Sequence, residues 1–337
     1  MRTAATFVLL AFCALPLSSA NAVASDAVRL DAAIRATVPA GFAGAVLIAR
    51  GDRVILDRGY GPGVKPRSQF WIASGGKQFT AAAILKCQEK QWLHLDDPLE
   101  RFFLAAPADK RGITIRQLLS HTSGFGQSYA SEGVQSRDEA VRRMLTDALV
   151  DAPGQHFHYS NTNYQLAVAI VEIASGMPYR RFIHTQLWQP AGLTLTGFAG
   201  EPGAHAVLAA KEPTPARLTR AEWGGEGVFS ATSDLFRWHR ALVTHRVLSE
   251  ASTALLFTPV VDIQEGRAAL GWFVGTTGRG SPFVFTRGNE DFGPNSLVYF
   301  YPKEQLTVVV LTHAGDADDT VSWSRAVLRK IQETLAL

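Results

Sequence analysis

Ser74 and Lys77 stand three residues apart in Ser74-Gly75-Gly76-Lys77, at the start of a helical stretch that runs on to Glu89. On a helix that spacing puts both side chains on one face. A serine hydroxyl is a weak nucleophile and needs a neighbouring base. Lysine serves as that base only when neutral, a form that burial and a helix N-terminus favour. The same helix end offers backbone N–H groups to a developing oxyanion. The pattern is short, and a serine cap followed by a solvated lysine also fits it.

Tyr159-Ser160-Asn161 is the second constellation. In an extended segment residues two apart point the same way, so Tyr159 and Asn161 can face one cleft. A tyrosine hydroxyl beside a lysine can shuttle protons, and an amide can hold a carbonyl or the lysine itself. Taken alone, a core tyrosine and a helix-capping asparagine explain the same residues. His121, in Leu118-Leu119-Ser120-His121-Thr122-Ser123-Gly124, suggests a base, but the chain has no Gly-x-Ser-x-Gly elbow to go with it. His156 and His158 could bind a metal, yet no matching ligand cluster stands out along the chain. Both readings therefore default to structural histidines.

The elements that must position these groups follow from periodicity. Phe42 to Arg50 and Arg53 to Tyr60 are β-rich runs around Gly51-Asp52, a hairpin pattern. Ser25-Asp26 can cap a helix carrying Leu30, Ile34 and Val38, with Pro39 as its stop. Residues from about 95 to 250 are mostly helical in pattern, as in Arg137–Leu149, Tyr164–Ala174 and Ser233–Val243. Strand patterns return at Leu270–Val274, Pro282–Phe285, Ser296–Tyr301 and Leu306–Thr312, and Val321–Leu335 closes as a helix. Sequential strands tend to pair. The expected fold is thus of the α/β class, with one mostly antiparallel sheet built from N- and C-terminal strands. Helices flank it, and a helical subdomain is inserted. A cleft between the two parts is the natural place for a site.

The 337 residues carry 33 basic and 30 acidic side chains and are 47% hydrophobic, a globular composition with no basic run for nucleic acid. Arg2, the apolar run Ala4–Leu17 and the small residues around Ala20, Ala22 and Ala24 read as a cleaved secretory signal peptide over residues 1–24. This implies a secreted or periplasmic protein with no membrane span in the mature chain. Residues 25–337 then form one catalytic domain. Its α/β part covers about 25–75 and 265–337, and its helical subdomain about 95–250. Cys87, the one cysteine outside the leader, reads as a buried structural thiol. Trp223, beside Gly224-Gly225, is the one aromatic that could line a cleft, although a core role fits it better.

Taken together these segments resemble the serine β-lactamase and penicillin-binding protein family, in its class C branch, which also holds DD-peptidases and carboxylesterases. The resemblance rests on Phe70 to Thr80 around Ser74-x-x-Lys77, Leu93 to Leu99, Leu118 to Gly124, Tyr159-Ser160-Asn161 and Gly227 to Leu235. It spans roughly Phe42 to Leu335 and implies the family's fold, an α/β sandwich with an inserted helical subdomain, in agreement with the order of elements. It implies Ser74 as the acylated nucleophile, Lys77 and Tyr159 as the proton-transfer pair, and Asn161 as a support for the acyl group. The family's third box, Lys-Thr-Gly or His-x-Gly, departs here to Thr286-Arg287-Gly288. Anchoring on Gly288, Asn289 and Asp291 puts Thr286 at the cationic position; aligning back from Ser296 and Pro302 puts Arg287 there. The first register is favoured. The expected protein is an exported serine hydrolase acting on a small-molecule or peptide ester, amide or lactam, without metal or organic cofactor. Esterase or peptidase activity is expected above efficient β-lactamase activity. The alternative is a non-catalytic ligand-binding or sensor module on the same scaffold. Nothing in the chain specifies an oligomer.

Overall fold

The computed structural model describes residues 17–38, 41–128, 130–204, 224–289, 295–313 and 323–337, with side chains from Ser25 onward. Strands β1 (Gly44–Arg50), β2 (Arg53–Tyr60), β3 (Phe70–Trp71), β4 (Gly197–Phe198) and β5 (Val228–Ser230) precede the C-terminal set. That set comprises β6 (Val261–Ile263), β7 (Gly266–Ala268), β8 (Phe273–Thr276), β9 (Pro282–Asn289), β10 (Asn295–Tyr301) and β11 (Leu306–Thr312). Eight strands form one sheet in the order β2-β1-β11-β10-β9-β8-β7-β6, and β3-β5-β4 form a small second sheet. All pairings are antiparallel. The two ends of the chain meet where β1 pairs with β11, from Gly44 opposite Thr312 to Arg50 opposite Leu306. This is the closure expected from the order of elements.

Alternation along these central strands builds two cores. Val46 and Ile48 of β1, with Val308 and Val310 of β11, pack with Leu30, Ile34, Val327, Leu328 and Ile331 of the terminal helices Leu17–Thr37 and Trp323–Leu335. Ala45, Leu47 and Ala49, with Val309 and Leu311, face the opposite way into the larger core. That core contains the helices Lys77–Glu89, Asn161–Ser175 and Thr232–Val243. A sheet buried on both faces explains why β1 and β11 read as nearly unbroken apolar runs.

Several expected boundaries move. The first helix is described from Leu17, eight residues before the Ser25-Asp26 start; the intervening alanine-rich stretch has good helix propensity and no breaker. The helix expected from Gly75 begins at Lys77, preceded by a 3-10 turn over Ala73–Gly76. The strand expected at Leu270–Val274 is Phe273–Thr276. Pro39, Trp223 and Glu290 to Gly293 lie outside the described residues. Cys87 is buried and free, and burial pushes its thiol up to about 12, as suits a packing residue.

Candidate active site

Ser74 sits in a turn fastened from three sides. Ile72 N–H donates to Val228 O at 3.0 Å, so β5 fixes the residue two before the serine. Ser296 Oγ of β10 donates to Ile72 O at 2.7 Å. Gly288 of β9 presses against the same turn: a Cβ there would lie 2.1 Å from Ile72 O and 2.8 Å from Ser74 N. Only a glycine lets the strand approach so closely. Ala73, with φ +47°, occupies the left-handed region that non-glycine residues rarely adopt. The chain thus leaves β3, turns at Ala73, and presents Ser74 one residue pair ahead of the helix Lys77–Glu89.

Lys77 is 4% exposed and its Nζ faces Ser74. Nζ donates to Ser74 Oγ at 2.9 Å, to Asn161 Oδ1 at 2.7 Å and to Gly225 O at 3.4 Å. A Cβ on Gly225 would stand 2.9 Å from Nζ, so that glycine makes room for the lysine. Tyr159 Oη donates to Ser74 Oγ at 2.7 Å from the more open side, its side chain being partly exposed. Asn161 opens the helix Asn161–Ser175; its Nδ2 donates to Glu226 Oε1 at 2.8 Å and its backbone N–H to Gln127 Oε1 at 2.8 Å. Ser74, Lys77, Tyr159 and Asn161 are therefore in one hydrogen-bonded group. Glu226, which orients the amide of Asn161 so that its oxygen meets Lys77, is not singled out by the sequence. Its place between Gly225 and Gly227 is the available signal.

His121 does not touch Ser74. It is buried, lies stacked on Tyr159 with ring centroids 4.5 Å apart, and accepts the backbone N–H of Ser160 at Nδ1, 3.1 Å away. It is a positioning residue for the Tyr159 segment rather than a base. Burial first, and the Lys77 charge second, hold its imidazole well below the usual histidine range. Burial likewise lowers His239, behind the sheet, to about 3. A histidine kept neutral in the fold but free to charge when unfolded stabilises the protein above its unfolded value, near 6.5. That contribution is lost as pH falls toward the folded value. Urea unfolding at about pH 7 and about pH 5 is expected to show a loss of stability that shrinks in His239→Gln, by up to about 1.4 kcal/mol per pH unit. An unchanged loss would remove His239 from this account.

The third box lies across the cleft. In β9 the pairing sets Gly288 opposite Ser296, Arg287 opposite Leu297 and Thr286 opposite Val298. Leu297 belongs to the terminal-helix core and Val298 to the larger core. Thr286 therefore shares a sheet face with Gly288 and Ser74, and is 3% exposed. Arg287 borders the cleft too, but its guanidinium pairs with Glu265 and lies 5.9 Å from the Phe273 ring. The cleft is lined by Ser74, Lys77, Tyr159, Tyr164, Trp272 and Thr286 among others.

The sequence reading of His156 and His158 is corrected in one respect. They do have a companion: Asp151 Oδ2 meets His156 Nδ1 and lies 3.1 Å from His158 Nε2. The two imidazoles hold the Asp151 carboxyl down, at about 2.

A family model described as Beta-lactamase matches residues 30–330. The chain belongs to the Beta-lactamase family. It is 27% identical over 333 residues to penicillin-binding protein 4* of Bacillus subtilis (strain 168), covering 87% of this chain and 72% of that one. It is also 27% identical to protein flp of Staphylococcus aureus (strain N315), over 80% of this chain and 59% of that one. The chain thus spans 59% of the length of protein flp, less than two thirds, and 72% of penicillin-binding protein 4*. Among solved structures it resembles the D-amino acid amidase from Ochrobactrum anthropi SV3, with a TM-score of 0.75 at 18% identity, over 93% of this chain and 99% of that one. At that identity the likeness establishes the fold alone.

Proposed function

We propose that this protein is a serine hydrolase that works through an acyl-Ser74 intermediate on a small, neutral ester or amide, and that it cleaves β-lactams poorly. The observation that carries this reading is the contact of Lys77 Nζ and Tyr159 Oη with one oxygen, Ser74 Oγ, at 2.9 and 2.7 Å. Once Lys77 has given up a proton, its amine keeps two N–H bonds for Asn161 Oδ1 and Gly225 O and one lone pair for the Ser74 proton. Ser74 Oγ attacks the acyl carbon as that proton passes to Nζ. The Ser74 backbone N–H, beside Gly288, is placed to donate to the developing oxyanion. Tyr159, on the open side, gives its proton to the departing oxygen or nitrogen and recovers one from the Lys77 ammonium. Water then cleaves the ester bond to Ser74 by the same steps in reverse. Asn161 supports the acyl group while Glu226 fixes its amide.

Substrate preference turns on Thr286. β-Lactams and D-Ala-D-Ala peptides carry a carboxylate. On the face of β9 that looks at Ser74, the third box supplies a hydroxyl, whereas Arg287 is directed to Glu265. A missing charged hydrogen bond costs roughly 1.5–3 kcal/mol, one to two decades in rate. Purified protein screened against short-chain p-nitrophenyl esters, D-Ala-D-Ala peptides and a cephalosporin is expected to turn over the neutral esters best. Thr286→His is expected to raise the rate on the carboxylate-bearing substrates alone. Efficient cephalosporin hydrolysis by the wild type, lost in Arg287→Ala, would overturn both the substrate class and the role of Thr286.

Export belongs to the same proposal. It is supported by the composition of residues 1–24, and no helix among the described residues is long and apolar enough to cross a membrane.

A further inference from the structure

Asp151, His156 and His158 stand outside the machinery assigned above, yet they are organised around a point. Both imidazoles turn to the same carboxylate oxygen, Asp151 Oδ2, while Oδ1 is taken by the backbone N–H of Ala152 at 2.8 Å. The three donor atoms lie within 4.8 Å of one another. A four-coordinate zinc ion, with N and O ligands at about 2.0–2.2 Å, keeps its donors roughly 3.3–3.6 Å apart. Small rotations of the side chains would therefore open the cluster around an ion. Two imidazole nitrogens and one carboxylate oxygen match zinc and its first-row neighbours, whereas magnesium and calcium prefer an all-oxygen shell.

The local chain shows how the cluster relates to the cleft. Asp151 precedes the Pro153-Gly154 turn, where Gly154 has φ +88°, and the returning segment carries His156 to Tyr159. Side chains alternate along it. Phe157 and Tyr159 turn inward onto His121, at centroid distances of 5.6 and 4.5 Å. His156 and His158 turn the other way, onto Asp151. The cluster is on the back of the segment whose front presents Tyr159 to Ser74.

We infer that Asp151, His156 and His158 form a binding site for one divalent transition-metal ion of the zinc class, which clamps the Tyr159 segment from the side opposite the cleft. Water completes the coordination. The ion is a positioning element: it faces away from Ser74 and takes no part in bond breaking. The site stands independently of the acyl-serine reading, since its ligands are not those of the reaction.

The test is calorimetric titration of zinc chloride into untagged, metal-stripped protein near neutral pH, with magnesium chloride as the comparison. One zinc per chain is expected, with a zinc-dependent rise in Tm and no saturable response to magnesium. His156→Ala and Asp151→Asn should each weaken zinc binding at least about tenfold. The His156 side chain is 72% exposed, so its removal leaves the core intact. Absence of saturable one-to-one zinc binding, or wild-type affinity in both variants, would overturn the inference. Loss of Ser74 acylation chemistry in a separate assay would leave it standing.

Discussion

Ser74→Ala is expected to abolish turnover and covalent labelling by a fluorophosphonate or a fluorescent penicillin, while the protein melts close to the wild-type temperature. The two effects separate because the hydroxyl contributes to chemistry and little to packing. Its oxygen receives hydrogen bonds from Lys77 and Tyr159 but lies outside both major cores. The turn around it is held by other groups: Ser296 Oγ on Ile72 O, Val228 O on Ile72 N–H, and the close approach of Gly288. Removing a nucleophile that works as a unit with its base lowers the rate by at least about three orders of magnitude. What remains would come from the oxyanion donors and from binding. The variant should keep the cleft and still bind a non-hydrolysed ester competitively. Acylation of the alanine variant at the wild-type rate, read by intact-protein mass spectrometry, would eliminate Ser74 as the nucleophile.

Much of this arrangement was legible in the chain because it is local. Three-residue spacing at a helix start brings Lys77 back beside Ser74, and the nearly unbroken apolar runs of β1 and β11 mark a sheet covered on both faces. Short elements were less legible. β3 and β4 have two residues each and β5 three, too few to show a period, although β5 anchors Ile72. Contacts made only by the fold were harder still. Glu226 reaches Asn161 across 65 residues, and His121 reaches the Tyr159 segment across about forty. Asp151 and His156 are near in sequence, but a turn must reverse the chain before they meet. The third box illustrates the division of labour. Alternation dictates that Thr286 and Arg287 face opposite sides. Tertiary packing decides which side is the cleft, because Gly288 must fit against the backbone of Ser74.

Lys77→Arg is expected to lose acylation by at least about two orders of magnitude, although it preserves a positive charge. General-base help from a positioned side chain contributes about 10²–10⁴-fold, and a guanidinium cannot supply it because it does not give up its proton. Space works against arginine as well. Gly225 already stands so close that a Cβ there would lie 2.9 Å from Nζ, and the larger planar group would displace either Gly225 or Asn161. Lys77→Ala removes charge and base together and leaves Asn161 Oδ1 without its 2.7 Å donor. Comparing the two variants separates charge from proton transfer. If the charge alone mattered, arginine would retain most of the acylation rate and alanine would not. If proton transfer matters, both fail, and added small primary amines restore part of the rate to the alanine variant, where a cavity admits them. Single-turnover acylation followed by mass spectrometry measures this directly. A Lys77→Arg protein that acylates as fast as the wild type would point instead to Tyr159, whose Oη is 2.7 Å from Ser74 Oγ, as the group that takes the proton.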